Sequence, residues 1–178
     1  MKQLTLLRHA KSAWDDPVTR DIDRPLNARG RRAAIAVGQA MRAAALRFDV
    51  VIASPARRVM ETIEEIEVGF GRALEPEYDE RIYLASKAQL LELVRQTDDG
   101  ASSLLMIGHS PGLENLALSL TDPNQGGLRD LLDEKYPTGA LAQIDFPAEQ
   151  WRKVGQATGT LVRFIRPRDL DPALGPEG

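Results

Sequence analysis

Cysteine is absent from the 178-residue chain. That removes disulfides, thiolate zinc sites, iron–sulfur ligation and a thiol nucleophile. Histidine occurs only twice, as His9 and His109, so a three-histidine metal site cannot form. A cationic excess is also missing. Lys+Arg number 23 against 26 Asp+Glu, a net charge of −3, and nonspecific nucleic-acid binding needs a broad basic surface. No apolar run approaches the ~20 residues of a membrane span. The N-terminal stretch is charged too early for a secretory signal. The expectation is a cytoplasmic protein with no nucleic-acid or membrane partner and no cofactor.

What is present is a foldable composition, 43% hydrophobic and 28% charged. The length suits one domain, expected over residues 1–166. The last stretch, 167–178, is rich in proline, glycine and aspartate and reads as a loose surface tail. Short apolar or β-branched runs at 3–7, 49–53 and 103–107 read as buried strands. Residues 140–146 and 158–165 alternate like two antiparallel neighbours, and a weaker strand is expected around Leu74. Between them lie helical stripes. Ala34, Val37, Met41, Ala44 and Phe48 recur at helical spacing within 27–48. Ser54-Pro55 reads as an N-cap with proline at the first helical position. Further helices are expected at 89–96 and after His109, and residues 122–127 read as a loop. Strands alternating with helices predict a three-layer α/β/α domain with a mostly parallel central sheet. In such sheets ligands bind beyond the carboxyl ends of the strands.

Both histidines fall there, His9 after the first strand and His109 after residues 103–107. Arg8 precedes His9, and Arg57-Arg58 follow the strand at 49–53. Guanidinium groups at strand ends give bidentate, charge-assisted bonds to a phosphate dianion, and helix starts add oriented N–H groups. Neutral imidazole is a competent nucleophile near pH 7. Attack by His9 on phosphorus would form a phosphohistidine for water to hydrolyse, with Arg8, Arg58 and His109 neutralising the equatorial oxygens. No metal is required for this. Surface salt bridges remain the ordinary reading for Arg20, Arg31, Arg32, Arg42 and Arg47.

Three segments, LLRHAKSAW, SPARRVMET and IGHSPGLENLA, resemble in order the signature segments of the histidine phosphatase superfamily, the phosphoglycerate-mutase-like proteins. RHAKSAWDD, RPLNARG and GHSPGLE are most similar to its SixA-like phosphohistidine phosphatases. The resemblance covers roughly residues 4–121. It implies a phosphoglycerate-mutase-like fold. It implies that Arg8 and Arg58 bind phosphate, His9 is the nucleophile and His109 lies in the pocket, with Thr62 ending the second motif. The pattern is departed from at Ala10, where a glycine is usual, at Lys11, and at Asp15, where a neutral asparagine is common. A carboxylate at Asp15 would repel a dianion, which weighs against a sugar-phosphate mutase.

Glu80 in Glu80-Arg81-Ile82-Tyr83 has the spacing of the mutase-like general acid, against its reading as a surface carboxylate beside Asp79. Glu114 reads as a capping or supporting residue. Arg24 either reaches the pocket mouth or pairs with Asp21 or Asp23, Trp14 either walls the pocket or packs under the loop, and Trp151 reads as core. The expected activity is a metal-independent phosphatase acting on phosphohistidine of a signalling or phosphotransfer protein. The alternatives are a phosphatase of small phosphomonoesters, such as sugar phosphates or nucleotides, and a non-catalytic phosphate-binding module. The oligomeric state is left open.

Overall fold

The computed structural model describes residues 1–17 and 19–175. Its centre is one six-stranded sheet, in the order β3-β2-β4-β1-β5-β6. The strands are β1 (Lys2–Arg8), β2 (Val50–Ala53), β3 (Glu77–Tyr78), β4 (Ser103–Gly108), β5 (Leu141–Phe146) and β6 (Thr160–Ile165). β1, β4, β2 and β3 pair in parallel, while β5 pairs antiparallel with both β1 and β6. The mixed α/β architecture with a mostly parallel sheet is therefore as expected.

Six helices surround the sheet among the described residues: α1 (Ala28–Ala43), α2 (Arg57–Phe70), α3 (Lys87–Arg95), α4 (Gly112–Leu120), α5 (Leu128–Glu134) and α6 (Pro167–Leu170). Alternation along the strands builds two cores. Leu4 and Leu6 of β1 join Leu104 and Met106 of β4 on the face covered by α3, α4 and α5. Leu7, Leu105 and Ile107 point the other way, onto Val37, Met41, Ile63 and Ile66 of α1 and α2. Trp151 is fully buried in the first core, and its indole N–H donates to the Ala101 carbonyl at 2.9 Å.

Differences from the sequence expectations are local. The helix expected to reach residue 48 ends at Ala43. Ala45 turns with φ 54°, and Leu46 N–H then closes onto the Met41 carbonyl. Ala44 and Phe48 still pack on the same core, which is why the apolar period overshoots. Ser54 does not cap α2 directly. Its hydroxyl accepts from Ala56 N–H at 3.2 Å, and the helix starts at Arg57. Leu74, expected in a weak strand, lies in none; the two-residue β3 forms three residues later, at Glu77–Tyr78. α5 follows the expected loop. Residues 167–175, expected to be loose, form α6 and a 3-10 turn at Pro172–Leu174. Pro167 is buried, and Arg29 of α1 donates to the Gly175 carbonyl. Residues 176–178 of the expected tail lie outside the described residues. No helix among the described residues is long and apolar enough to cross a membrane.

Candidate active site

Strand register assembles the site. In the parallel pairing of β1 with β4, Arg8 stands opposite Gly108. The next residues are therefore His9 and His109, and His9 N–H donates to the Gly108 carbonyl at 3.1 Å. Two side chains 100 residues apart thus become neighbours, with ring centroids 5.3 Å apart. β2 lies on the other side of β4, with Ala53 opposite Ile107. Ser54 and the start of α2 are consequently delivered to the same edge, Ser54 N–H donating to the Ile107 carbonyl at 3.0 Å.

The bonding around each ring fixes its tautomer. His9 Nδ1 lies 2.6 Å from the Ala10 carbonyl. A carbonyl only accepts, so Nδ1 carries the hydrogen and Nε2 holds the lone pair. The His9 pKa is pulled down to about 3, chiefly by burial, with the nearby His109, Arg58 and Arg8 adding to it and the Ala10 hydrogen bond opposing it. His9 is thus neutral near pH 7. His109 Nδ1 lies 3.2 Å from Arg58 Nη2. A guanidinium only donates, so His109 Nδ1 accepts and its Nε2–H donates to the Ser54 hydroxyl at 2.8 Å. Burial, and then Arg58, lower the His109 pKa to about 4, with Asp21 opposing.

The guanidinium groups are held from behind. Arg8 Nη1 donates to the Tyr136 carbonyl at 2.9 Å. Arg58, 2% exposed, donates to the Asp21 carbonyl at 2.7 Å and to the Asp21 carboxylate at 3.1 Å. Thr62, one turn along α2, accepts from Ala10 N–H at 3.0 Å and donates to the Arg58 carbonyl at 2.6 Å. It ties the peptide beside His9 to the helix that carries Arg58. Gly30 permits the matching approach of α1. A Cβ there would sit 2.2 Å from the Lys11 carbonyl oxygen.

A cavity of about 330 Å³ opens between these groups, lined by Arg8, His9, Arg58, His109, Asp21 and Arg24 among others. Arg8 Nε, Arg58 Nε and the Ser110 hydroxyl are buried without a hydrogen-bond partner, although Arg8 and Ser110 line this cavity and Arg58 shares it. Buried donors left unmade are costly. A tetrahedral oxyanion between the two guanidinium groups would satisfy such donors. Among the described residues, no group of three or more His, Cys, Asp or Glu side chains could hold a metal.

Arg8, His9, Arg58 and His109 are therefore brought together, and Glu80 is not. Glu80 opens the 3-10 turn Glu80–Ile82. It is exposed and absent from the cavity wall. Ile82, which is 1% exposed, is the residue of that turn that faces the core. Of the Glu80-to-Tyr83 stretch, Tyr83 reaches the site. Its ring packs edge-on against His109 at 5.4 Å, and its hydroxyl donates to the Asp21 carboxylate. Asp15 is exposed on the loop and is not in the wall. Glu114 is half-buried and lies close enough to Arg8 to favour its charge. Arg24 satisfies both of its sequence readings. It pairs with Asp21 at 3.1 Å, donates to the Ser12 hydroxyl at 2.7 Å and lines the cavity. Trp14 walls the mouth, 76% exposed, with the Arg24 guanidinium 3.3 Å from its ring centroid.

Asp21 is the functional-site residue that sequence reasoning missed. Burial alone would raise its pKa. The Tyr83 hydrogen bond and the charges of Arg58 and Arg24 outweigh that and hold it at about 2. Its i,i+3 spacing to Arg24 was the available signal. Arg58, 37 residues away, gave none.

A rim of unpaired donors around a neutral imidazole, set at the carboxyl edge of a parallel sheet, defines a class: an α/β phosphatase. The chain belongs to the histidine phosphatase superfamily. The family model for branch 1 of that superfamily matches residues 4–83. The chain is 33% identical over 164 residues to the uncharacterized protein Rv1276c of Mycobacterium tuberculosis, covering 91% of this chain and all of that one. Among solved structures it is similar to a Nakamurella multipartitia protein assigned to the SixA phosphohistidine phosphatases. The TM-score is 0.80 and the identity 28%, over 93% of this chain and 96% of that one. An Agrobacterium tumefaciens protein with the same assignment gives 0.76 and 27%, over 93% and 97%.

Proposed function

We propose that the chain is a cytoplasmic phosphohistidine phosphatase acting on a protein, through a covalent phosphohistidine on His9. His9 Nε2 attacks phosphorus, a P–N bond to His9 forms, and the P–N bond to the substrate imidazole breaks. Water then attacks phosphorus, releases inorganic phosphate and returns the His9 lone pair. Arg8, Arg58 and His109 bind the equatorial oxygens through both steps. Bound phosphate brings negative charge to His109 Nδ1, which favours a proton there and turns that nitrogen from acceptor to donor.

The observation that carries the substrate choice is the state of the carboxylates. Asp21 lines the cavity and is ionised down to about pH 2, so it has no proton to give near pH 7. Glu80 stands outside. An alkoxide leaving group needs a proton donor. A phosphohistidine imidazole takes up a proton on its remote ring nitrogen near neutral pH, and in that form it departs neutral without a donor from the enzyme. The rim supports a protein substrate, because Trp14 and Leu84 flank the cavity while 76% and 61% exposed.

Steady-state kinetics on a phosphohistidine protein and on a panel of phosphomonoesters tests this reading. The expected result is a kcat/KM at least about tenfold higher on phosphohistidine, a difference of about 1.4 kcal/mol. His9→Ala removes turnover while far-ultraviolet circular dichroism stays unchanged. Faster turnover of monoesters, lost in Glu80→Gln, selects the small-molecule alternative. Activity retained in His9→Ala overturns the nucleophile.

A further inference from the structure

A second cavity, of about 280 Å³, adjoins the first and shares Arg8, Lys11 and Thr138 with it. Its other cations are Arg29, Lys135 and Arg168, and no carboxylate lines it among the described residues. Five basic side chains thus converge on one depression of a chain whose net charge is −3. They come from four separate places: the end of β1 and the loop after it, the first turn of α1, the residue after α5, and α6. No local run of sequence produces that convergence.

Like charges gathered around one depression repel one another. Glu114 offsets part of that at Arg8, and Asp169 part of it at Arg168. Among the described residues, Lys135 and Arg168 make no side-chain hydrogen bond or ion pair, and Arg168 Nε is buried and unsatisfied. Asp169, next in sequence, is engaged by both Arg166 Nε and Nη2 at 2.8 Å. The volume suits a single charged group rather than a whole metabolite. Arg8 stands in the wall between this depression and the phosphoryl cavity.

We propose that this second cavity is an anion subsite that binds a carboxylate or phosphate carried by the substrate beside its phosphoryl group. This rests on the phosphatase reading of the first cavity and adds a substrate requirement to it. The preferred substrate is at least bis-anionic. The second anion comes either from an acidic side chain flanking a phosphohistidine or from a small molecule that carries both groups.

Two matched pairs of probes separate these sources. One is a phosphohistidine peptide with flanking glutamates against the same peptide with glutamines. The other is 2- and 3-carboxyphenyl phosphate against phenyl phosphate. The quantity read is the ratio of kcat/KM, anionic over neutral, in the wild type, in Lys135→Gln and in Lys135→Gln/Arg168→Gln. One charge-assisted contact is worth about tenfold. The wild-type ratio is expected to exceed about fivefold in at least one pair and to fall below about twofold in the double variant, with Lys135→Gln between them. Lys135 is exposed, so the single variant keeps the test open if the double variant folds poorly. A wild-type ratio under about twofold in both pairs, or a preference that survives the substitutions, overturns the subsite. Failure of the phosphohistidine reading looks different. The peptides are then not turned over, while the carboxyphenyl ratio and its dependence on Lys135 remain.

Discussion

Arg57 and Arg58 are adjacent in sequence, yet only one reaches the candidate site. Arg57 lies on the outer side of α2, exposed and paired with Glu61 at 3.0 Å. Arg58 is buried, with its Nε unsatisfied at the cavity. The helical 100° step separates them, and the motif spacing to Thr62 selects Arg58 because residues four apart share a face. An exposed i,i+4 pair contributes about 0.3–0.5 kcal/mol, whereas a hydrogen bond to a charged group contributes about 1.5–3 kcal/mol. Arg58→Ala is therefore expected to weaken inorganic phosphate binding by about 10- to 100-fold in titration calorimetry, and Arg57→Ala by less than about threefold. Equal losses would place the register one residue off. Arg58 is also already paired with the Asp21 carboxylate before any ligand arrives. Phosphate must compete with that carboxylate, and only the folded contact reveals it.

α1 and α2 cross through reciprocal glycines. A Cβ on Gly38 would lie 2.3 Å from the Ile66 carbonyl oxygen, and one on Gly69 would lie 2.1 Å from that of Ile35. Neither obstacle is a side chain that can swing away, so the helices would have to separate. Gly69→Ala is expected to destabilise by about 1–3 kcal/mol despite the better helix propensity of alanine. The melting temperature should fall by several degrees, about 2–4 °C per kcal/mol at this size. A rise would show that the crossing has slack. Because α2 carries Arg58 and Thr62, the same variant should also weaken phosphate binding. The elements themselves were legible where burial imposes a pattern. β1, β2 and β4 are apolar runs, and the stripes of α1, α2 and α4 are long enough to show a period. α5 has seven residues and β3 only two, too few for any period. The turns of residues 167–175 order through tertiary contacts such as Arg29 with Gly175, which composition does not encode.

For the whole molecule, the order of motifs at strand ends foretold which side chains would meet, because parallel register converts sequence distance into adjacency. It could not foretell how dry the meeting place would be, and that dryness sets the response to acid. Burial lowers His9 from 6.5 to about 3 and His109 from 6.5 to about 4. The unfolded chain, with ordinary imidazoles, binds more protons than the native state between those values and about pH 6.5. Stability therefore rises with pH in that window and falls as pH drops through it, by up to about 1.4 kcal/mol per pH unit for each histidine. Asp21, lowered from 3.8 to about 2, extends the same sign below pH 4. Above pH 6.5 all three contributions are fully present. Urea unfolding at pH 7, 5.5 and 4.5 should show a midpoint falling monotonically with acid. His9→Asn keeps a donor for the Ala10 carbonyl, and His109→Gln keeps one for Ser54. Each substitution removes one titration without removing that bond, and each should flatten the slope between pH 6.5 and 4.5. A wild-type midpoint that is level over that range would mean that the imidazoles titrate normally. The dry, neutral nucleophile assigned to His9 would then be wrong.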